Sequence, residues 1–299
     1  MAAPTGEQFT IAAGGYEAVV VEGGGGLRTL THEGADVLAG YPLEERPLGG
    51  RGQLLMPWPN RIRDGAYRFD DHDRQLAISE PKTGTAIHGL VRFCAWHPRE
   101  VSADRVRLGC RLIAQTGYPW TLDLTADYQV SPAGLEVTLT ATNLAATAAP
   151  FAAGMHPYLA IHCDRVDEVT LTVPAETRLL VDERHLPAGT APVSWDHDFR
   201  PGRLIGSLEL DDAYTDLGRG EDGRAVVRVE SVGGAAEMWL DESFPWVQVF
   251  TGDTLERGVR ESIAVEPMTS PADAFNSGTD LVTIEPGRSW TGSVGIRRG

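Results

Sequence analysis

Three stretches in the middle of the chain alternate strictly between apolar and polar side chains, and this period of two residues restricts the fold more than any other feature. Apolar residues alternate with arginines and a glycine in the run 105–112, and the runs 122–125 and 135–140 repeat the pattern with acidic residues and threonines. Such alternation is typical of strands that have one buried face and one solvated face. The middle of the chain is therefore predicted to form antiparallel sheet.

Turn residues separate these runs along the whole chain, which contains 34 glycines and 19 prolines. No stretch has the longer period of an extended amphipathic helix. The segment 143–150 is rich in alanine and threonine and could link two domains, but strand-like runs of the same character lie on both sides of it. We therefore predict an all-β chain with few short helices, forming a single domain over residues 1–299.

The charge of the chain restricts its partners, because the formal net charge is −16 over 299 residues. This charge argues against binding to nucleic acid or to anionic membranes. The three cysteines lie far apart, at 94, 110 and 163, and predict neither a disulfide framework nor a metal site. No basic region followed by an apolar run opens the chain, and no apolar stretch approaches the ~18 residues of a membrane span. We expect a cytoplasmic protein.

A glutamate near the C-terminus has the setting of a general base. Glu266 follows an apolar run and precedes Pro267, which restricts it to an extended backbone. Pro271 and Gly278 then break regular structure, so the segment is predicted to leave a strand and enter a loop. A carboxylate held by a strand and facing a loop is a platform for proton abstraction, although a surface glutamate beside a turn has the same pattern.

Other polar residues lie in similarly constrained settings. His156 is held between Gly154 and Pro157, and an imidazole titrates near neutrality, so it is a candidate acid as well as a candidate packing residue. Arg61 follows a rigid Pro-Trp-Pro segment and needs acceptors that a hydroxyl-rich ligand could supply. His88 precedes a glycine that would allow a close approach of ligand or backbone. The acidic pair 211–212 could accept hydrogen bonds from sugar hydroxyls or form a solvated loop.

Five short motifs, in this order, resemble the aldose 1-epimerase (galactose mutarotase) family. They are Asn60-Arg61-Ile62 with Gly65, His88-Gly89, His156-Pro157-Tyr158, Asp211-x-x-Tyr214, and Glu266-Pro267 with Pro271, Ala274 and Asn276. The resemblance covers the chain from about residue 50 to the end. It implies a large antiparallel β-sandwich of the galactose mutarotase-like type, with an open cleft on one sheet. The family often has phenylalanine and asparagine where this chain has Tyr158 and Leu159.

Carried over position by position, the resemblance implies roles for six residues and a small-molecule sugar as partner. Glu266 matches the general base and His156 the general acid, whereas the substrate-binding matches are Arg61, His88 and Asp211, with Asp212 as a rival of Asp211. Interconversion of anomers moves protons and no electrons, so neither a cofactor nor a metal is expected. A nearby carboxylate should raise the pKa of His156. We expect Glu266 and His156 to face each other across a gap wide enough for one pyranose.

Two other functions are compatible with the same residues. A hexose 6-phosphate epimerase would need extra arginines at the cleft, for which Arg63 and Arg92 are the candidates. A non-catalytic sugar-binding module on the same fold would lack the acid or the base, and this chain has both. The acidic balance favours a free neutral aldose over a phosphorylated one. Trp58, Tyr158 and Trp246 are candidates for stacking on the apolar face of the sugar.

Overall fold

The computed structural model describes residues 3–299 and consists almost entirely of strands. The strands of the first half are β1 (Gln8–Ala13), β2 (Tyr16–Val21), β3 (Leu27–His32), β4 (Ala35–Asp36), β5 (Leu54–Leu55), β6 (Arg61–Arg63), β7 (Ala66–Phe69), β8 (His72–Gln75), β9 (Thr85–Ile87), β10 (His97–Val101), β11 (Arg105–Leu112), β12 (Leu122–Ser131), β13 (Gly134–Asn143) and β14 (Ala149–Phe151). Those of the second half are β15 (Gly154–Met155), β16 (Tyr158–Leu159), β17 (Thr170–Thr172), β18 (Ala175–Val181), β19 (Pro187–Pro192), β20 (Arg203–Leu204), β21 (Asp211–Leu217), β22 (Ala225–Ser231), β23 (Gly234–Leu240), β24 (Trp246–Phe250), β25 (Ile263–Met268), β26 (Val282–Ile284) and β27 (Ser289–Arg298).

Helical structure among the described residues is limited to short turns. They are the 3₁₀ helices Val166–Glu168 and Trp195–His197 and the α-helix α1 (Ala274–Ser277). None of the helices formed by residues 3–299 has the length and apolar composition needed to cross a bilayer. The prediction of an all-β chain with few short helices is confirmed.

The alternating runs of the sequence form the centre of a nine-stranded sheet with the order β10-β11-β12-β13-β27-β23-β22-β17-β20. Its neighbouring strands pair antiparallel, as β12 and β13 do from Leu122↔Asn143 to Ser131↔Gly134. The apolar positions of these strands are buried and the intervening polar positions are partly exposed. The period of two therefore marks a sheet with one face in the core, as predicted.

A second, eight-stranded sheet has the order β19-β18-β21-β24-β25-β15-β5, with β16 also paired to β25. Leu124 and Val137 of the nine-stranded sheet belong to the same fully buried cluster as Val249 and Val265 of the eight-stranded sheet. The two sheets thus share one hydrophobic core, and burial of these apolar faces is the main force that holds them together. Smaller antiparallel sheets, β1-β2-β3-β4, β6-β9, β7-β8 and β14-β26, complete the architecture.

Candidate active site

A cleft of about 660 Å³ is lined by residues from β6, β21, β24 and β25 and from the loops beside them. Its lining includes five of the six residues selected from the sequence, namely Arg61, His88, His156, Asp211 and Glu266. The volume lies within the ~300–1,000 Å³ usual for small-molecule sites. Residues separated by up to 205 positions in the sequence therefore meet around one cavity.

Glu266 lies on the cleft side of β25 because its neighbour Val265 faces the core. The side chain is nevertheless deeply set: the residue is 3% exposed, and its Oε2 has no hydrogen-bond partner among residues 3–299. Burial raises the pKa of Glu266 well above its ordinary value, the charge of Asp211 raises it further, and Arg61 opposes both. Burial and the charge of Asp211 therefore favour the protonated carboxyl.

His156 lies directly opposite Glu266 because of an interruption in the sheet. The strands β15 and β16 pair with β25 through Gly154↔Met268 and Tyr158↔Ala264, and His156 occupies the break between them. Its Nε2 is 3.4 Å from Oε1 of Glu266. The gap expected between the two side chains is therefore absent, because they lie in contact with each other.

The pKa of His156 moves in the direction opposite to our expectation. Burial lowers it to about 3, and the positive charges of Arg92 and Arg51 contribute to the shift. Desolvation of the imidazolium is the main cause of this shift. Burial thus favours the neutral imidazole of His156 beside the protonated carboxyl of Glu266.

His88 is fixed in one tautomer by the backbone. The N–H of Asn60 donates to its Nδ1 at 3.1 Å, so the proton of the neutral ring is on Nε2. Both residues adopt left-handed backbone conformations, with φ of 60° at His88 and 53° at Asn60. The next residue must be glycine, because a Cβ at Gly89 would lie 2.1 Å from the carbonyl oxygen of Met56. The loop therefore presents His88 as a hydrogen-bond donor, and burial lowers its pKa well below the ordinary value.

The two histidines and the glutamate bring potential metal-ligand atoms within 4.8 Å of one another. Sequence spacing did not predict this cluster, because its members come from three distant segments. Metal binding requires a free lone pair on each ligand nitrogen. The Nδ1 lone pair of His88 is already used by Asn60 and its Nε2 carries the proton, so His88 is set up as a donor and not as a metal ligand.

Arg61 is held by Glu80, a residue that the sequence did not single out. Its Nε and Nη2 donate to the two carboxylate oxygens at 2.7 and 3.0 Å. The Nη1 group is left near Oδ1 of Asn60, at 3.4 Å. Bidentate pairing orients the guanidinium plane, so the third nitrogen is the part of Arg61 available to a ligand.

Strand register distinguishes the two aspartates. Asp211 pairs with Phe250 and lies on the cleft face, where it accepts a 2.6 Å hydrogen bond from Nε2 of Gln248. Asp212 pairs with Val249, whose side chain is in the core, so it points to the other face. There it lies near Arg178 and His197, at 3.5 and 3.7 Å. Of the pair, only Asp211 lines the cleft.

Gln248 was not selected from the sequence, although it connects several cleft residues. It is 4% exposed, pairs across the sheet with Glu266, and accepts a 3.3 Å hydrogen bond from Nδ2 of Asn60. Together with its donation to Asp211, this places the amide between two polar residues of the cleft. A glutamine inside an apolar strand sequence, Trp246–Phe250, was the available signal.

The aromatic residues proposed to stack on the sugar lie elsewhere. Trp58 packs edge-on against Phe275 with ring centroids 5.7 Å apart, and Trp246 donates to Asp280 at 2.7 Å. Tyr158 lies behind His156, with the two rings parallel. The aromatic residues of the cleft are instead Phe250 and Phe93, and the latter is 79% exposed.

The two arginines considered for a phosphate have different positions. Arg63 pairs with Asp273 at 3.3 Å and does not line the cleft. Arg92 does line it. The Nε of Arg92 is buried and has no hydrogen-bond partner within residues 3–299, and its Nη2 reaches only the carbonyl of Ile87, at 3.5 Å.

Comparison with known proteins identifies the family. The aldose 1-epimerase sequence profile matches residues 7–297. The chain belongs to the aldose 1-epimerase family. It is 34% identical over 286 residues to the uncharacterised protein YihR of Escherichia coli K12, covering 95% of this chain and 91% of YihR. The fold is that of the galactose mutarotase-like β-sandwich, as the resemblance implied.

Solved structures show the same fold at lower identity. The GalM/aldose epimerase homologue of C. elegans superimposes with a TM-score of 0.86 at 20% identity, covering 98% of this chain and 99% of the homologue. The galactose 1-epimerase of Lactobacillus acidophilus superimposes with a TM-score of 0.79 at 21% identity, covering 96% and 92%. The strand arrangement is therefore common to these proteins.

Proposed function

We propose that the protein is a mutarotase, which interconverts the α and β anomers of a free aldose by opening and reclosing the hemiacetal ring. One observation carries the proposal: a buried imidazole and a buried carboxyl touch at the floor of a polar cleft, 3.4 Å apart. Glu266 acts as the general base and His156 as the general acid. Such steps typically contribute on the order of 10²–10⁴-fold each.

The contact between the two groups suits the reaction. The hydroxyl that loses a proton and the ring oxygen that gains one are both bonded to the anomeric carbon. A base and an acid that serve two neighbouring oxygens must lie side by side. The 3.4 Å distance is longer than an ordinary hydrogen bond, and catalytic contacts commonly tighten when substrate binds.

The protonation state of the pair changes as the ring opens. The cyclic sugar reacts with ionised Glu266 and protonated His156, and opening the ring leaves the carboxyl protonated and the imidazole neutral. Burial favours the second state, since it raises the pKa of Glu266 and lowers that of His156. One proton must therefore pass from the carboxyl to the imidazole before the ring opens, and ring opening returns the pair to the state that burial favours. Rotation about the C1–C2 bond precedes reclosure, and no cofactor is needed.

Three cleft residues bind and orient the sugar in this mechanism. His88 donates from Nε2, because Asn60 occupies its Nδ1. Arg61 donates from the guanidinium nitrogen that Glu80 leaves free. Asp211, which lines the cleft, accepts hydrogen bonds from hydroxyl groups with the lone pairs that Gln248 and His185 leave free.

Polarimetry of freshly dissolved α-D-glucose and α-D-galactose tests the proposal. We expect equilibration much faster than in buffer, and a loss of at least about 10²-fold in kcat for His156→Asn. Equilibration at the buffer rate across several aldoses would reject the proposal. Sugar binding without acceleration would support the non-catalytic module instead.

Arg92 favours a second candidate, an epimerase of hexose 6-phosphates. Carbon 6 is attached beside the ring oxygen that His156 is proposed to protonate, and Arg92 is close enough to His156 to lower its pKa. Among the residues that the structure describes, the Nε of this guanidinium has no hydrogen-bond partner, and its Nη2 is 3.5 Å from the carbonyl oxygen of Ile87. A phosphate at carbon 6 is a suitable partner for such a group.

The same assay on glucose 6-phosphate separates the two substrates. If the protein is a hexose 6-phosphate epimerase, Arg92→Gln should raise KM for glucose 6-phosphate at least about tenfold, because a charge-assisted hydrogen bond is worth ~1.5–3 kcal/mol. The KM for glucose should stay nearly unchanged. Arg63→Gln, outside the cleft, is the matched control. Equal use of both sugars, with no selective effect of Arg92→Gln, argues for the free aldose.

A further inference from the structure

The imidazole of His156 is enclosed by neighbours that do not themselves react. The ring of Tyr158 lies parallel to it, with centroids 5.2 Å apart and planes 9° apart. The ring of His88 meets it edge-on at 5.4 Å. The backbone of Gly50 is so close that a Cβ there would lie 2.6 Å from Cδ2 of His156. These contacts restrict rotation of the imidazole and direct its Nε2 towards Glu266.

Tyr158 is itself held from two directions. Its hydroxyl donates to the carbonyl of Gly49 at 2.9 Å. The guanidinium carbon of Arg51 lies 4.2 Å from the centre of the tyrosine ring. Arg51 is in turn fixed by donation to the carbonyl of Ala39 at 2.6 Å and to the hydroxyl of Ser262 at 3.2 Å. Guanidinium, phenol and imidazole thus form a continuous stack that ends at the proposed acid.

Neither Arg51 nor Tyr158 lines the cleft, so neither is placed to touch a sugar. The hydrogen bonds of the Arg51 guanidinium go to neutral acceptors, and Glu261 is a nearby acidic group that acts on its charge. A guanidinium over the face of a buried aromatic ring is attracted to it, and this contact favours one orientation of the ring.

We propose that Tyr158 and Arg51 are positioning residues for His156: the tyrosine ring sets the plane of the imidazole, and the guanidinium secures the tyrosine and opposes a second positive charge nearby. This inference rests on the proposed role of His156 as the acid. It assigns a purpose to Tyr158, whose ring makes the contact with the imidazole and whose hydroxyl adds only the bond to Gly49.

Several charged or titratable groups act on the imidazole from the surrounding elements, and the effect of Arg51 must be separated from theirs. They are Glu266, His88, Tyr158, Arg92 and Arg51. Arg92 and Arg51 both lower the pKa of His156. Removal of the charge of Arg51 should therefore raise that pKa, whereas removal of a distant charge should not.

Kinetics of four variants test the positioning role. Tyr158→Leu should lower kcat about 10–100-fold with a smaller change in KM, since misplacement of a catalytic group by about 1 Å can cost 10²-fold. Tyr158→Phe keeps the ring and should stay within about threefold of wild type, because only a neutral hydrogen bond is lost. Arg51→Met tests the guanidinium. Arg224→Met is the matched control, because Arg224 stacks on Trp239 at 3.7 Å, outside the cleft.

NMR of ¹⁵N-labelled histidine provides a readout that needs no turnover. The His156 signals, assigned with His156→Asn, should remain those of a neutral ring down to about pH 5 in wild type and in Arg224→Met. In Arg51→Met they should begin to titrate at higher pH. Unchanged titration in Arg51→Met, together with wild-type kcat in Tyr158→Leu, would overturn the inference.

The two proposals can fail separately. Absence of epimerase activity in wild type would reject the proposed function, whereas the titration would still decide whether the stack controls His156. If Tyr158→Leu fails to fold, the Arg51→Met titration and the Tyr158→Phe kinetics test the positioning role instead. A Tyr158→Phe enzyme as impaired as His156→Asn would contradict the role assigned to the tyrosine ring.

Discussion

Replacement of Glu266 by glutamine should make the protein more stable and far less active. The carboxyl is 3% exposed, and its Oε2 lacks a hydrogen-bond partner among the described residues. Burial and the charge of Asp211 raise its pKa, so folding opposes its ionisation. A glutamine of nearly the same shape removes the ionisable group and keeps the volume of the side chain.

The gain in stability expected for Glu266→Gln depends on pH. A pKa raised in the folded state means that the contribution of Glu266 to stability is fully present below about pH 4.3, its unfolded value, and is lost as pH rises towards the folded value. Glu266→Gln should therefore match wild type near about pH 4 and exceed it at about pH 8. A folded pKa one unit above the unfolded value lowers the stability of wild type by ~1.4 kcal/mol at a pH above both, which corresponds to roughly 2–5 °C in Tm for a chain of this size.

Thermal unfolding of both proteins across this pH range measures the difference. Glu237→Gln is a control of opposite sign. Burial alone would raise the pKa of Glu237, but hydrogen bonds from Arg297 and Arg228 lower it. Its contribution is present above the unfolded pKa and is lost as pH falls, so Glu237→Gln should destabilise at neutral pH. A Glu266→Gln protein that is less stable than wild type at about pH 8, or a difference that does not change with pH, would refute the reasoning.

Three further predictions concern the pair and its surroundings. The pair carries one transferable proton between the pKa of His156, which burial lowers to about 3, and the raised pKa of Glu266. The acid limb of kcat/KM should therefore lie well below the ordinary imidazole value, with little loss between about pH 7 and about pH 5. Asp211→Asn should move the alkaline limb to lower pH, since the charge of Asp211 raises the pKa of the carboxyl beside His156, whereas Asp212→Asn should leave both limbs in place. Gly50→Ala should reduce kcat at least about tenfold by displacing His156. Gly34→Ala is the control, because its φ of 80° is close to the 77° of Gly50 but nothing lies within 4 Å of the new Cβ, so it should cost only stability. Equal activity of the two variants would contradict the contact between Gly50 and His156.

The sheets could be predicted from the sequence because alternation is a local property. The runs at β11, β12 and β13 record which side chains face the core, and the turn residues mark where each strand ends. The same local reasoning placed Glu266 on a strand, although β25 does not end there but continues through Pro267 to Met268. A glutamate in this setting can be recognised from the few residues on either side of it.

Properties that depend on contacts between distant segments could not be predicted from local sequence patterns. The choice between Asp211 and Asp212 depends on the register of β21 against β24, and the contact of His156 with Glu266 depends on a break between two short strands that both pair with β25. The direction of the His156 pKa shift depends on burial by several elements at once. Glu80 and Gln248 act through partners 19 and 37 positions away, which composition and periodicity do not reveal.

The most direct test of the central claim is the rate of anomer exchange at equilibrium, measured by ¹³C exchange spectroscopy on a C1-labelled aldose with wild type, His156→Asn, Glu266→Gln and the double variant. If the two side chains act as one acid–base unit, each single variant should lose nearly as much as the double variant, because the second removal has little left to abolish. Full additivity of the two losses, or exchange in wild type no faster than in buffer, would contradict the account.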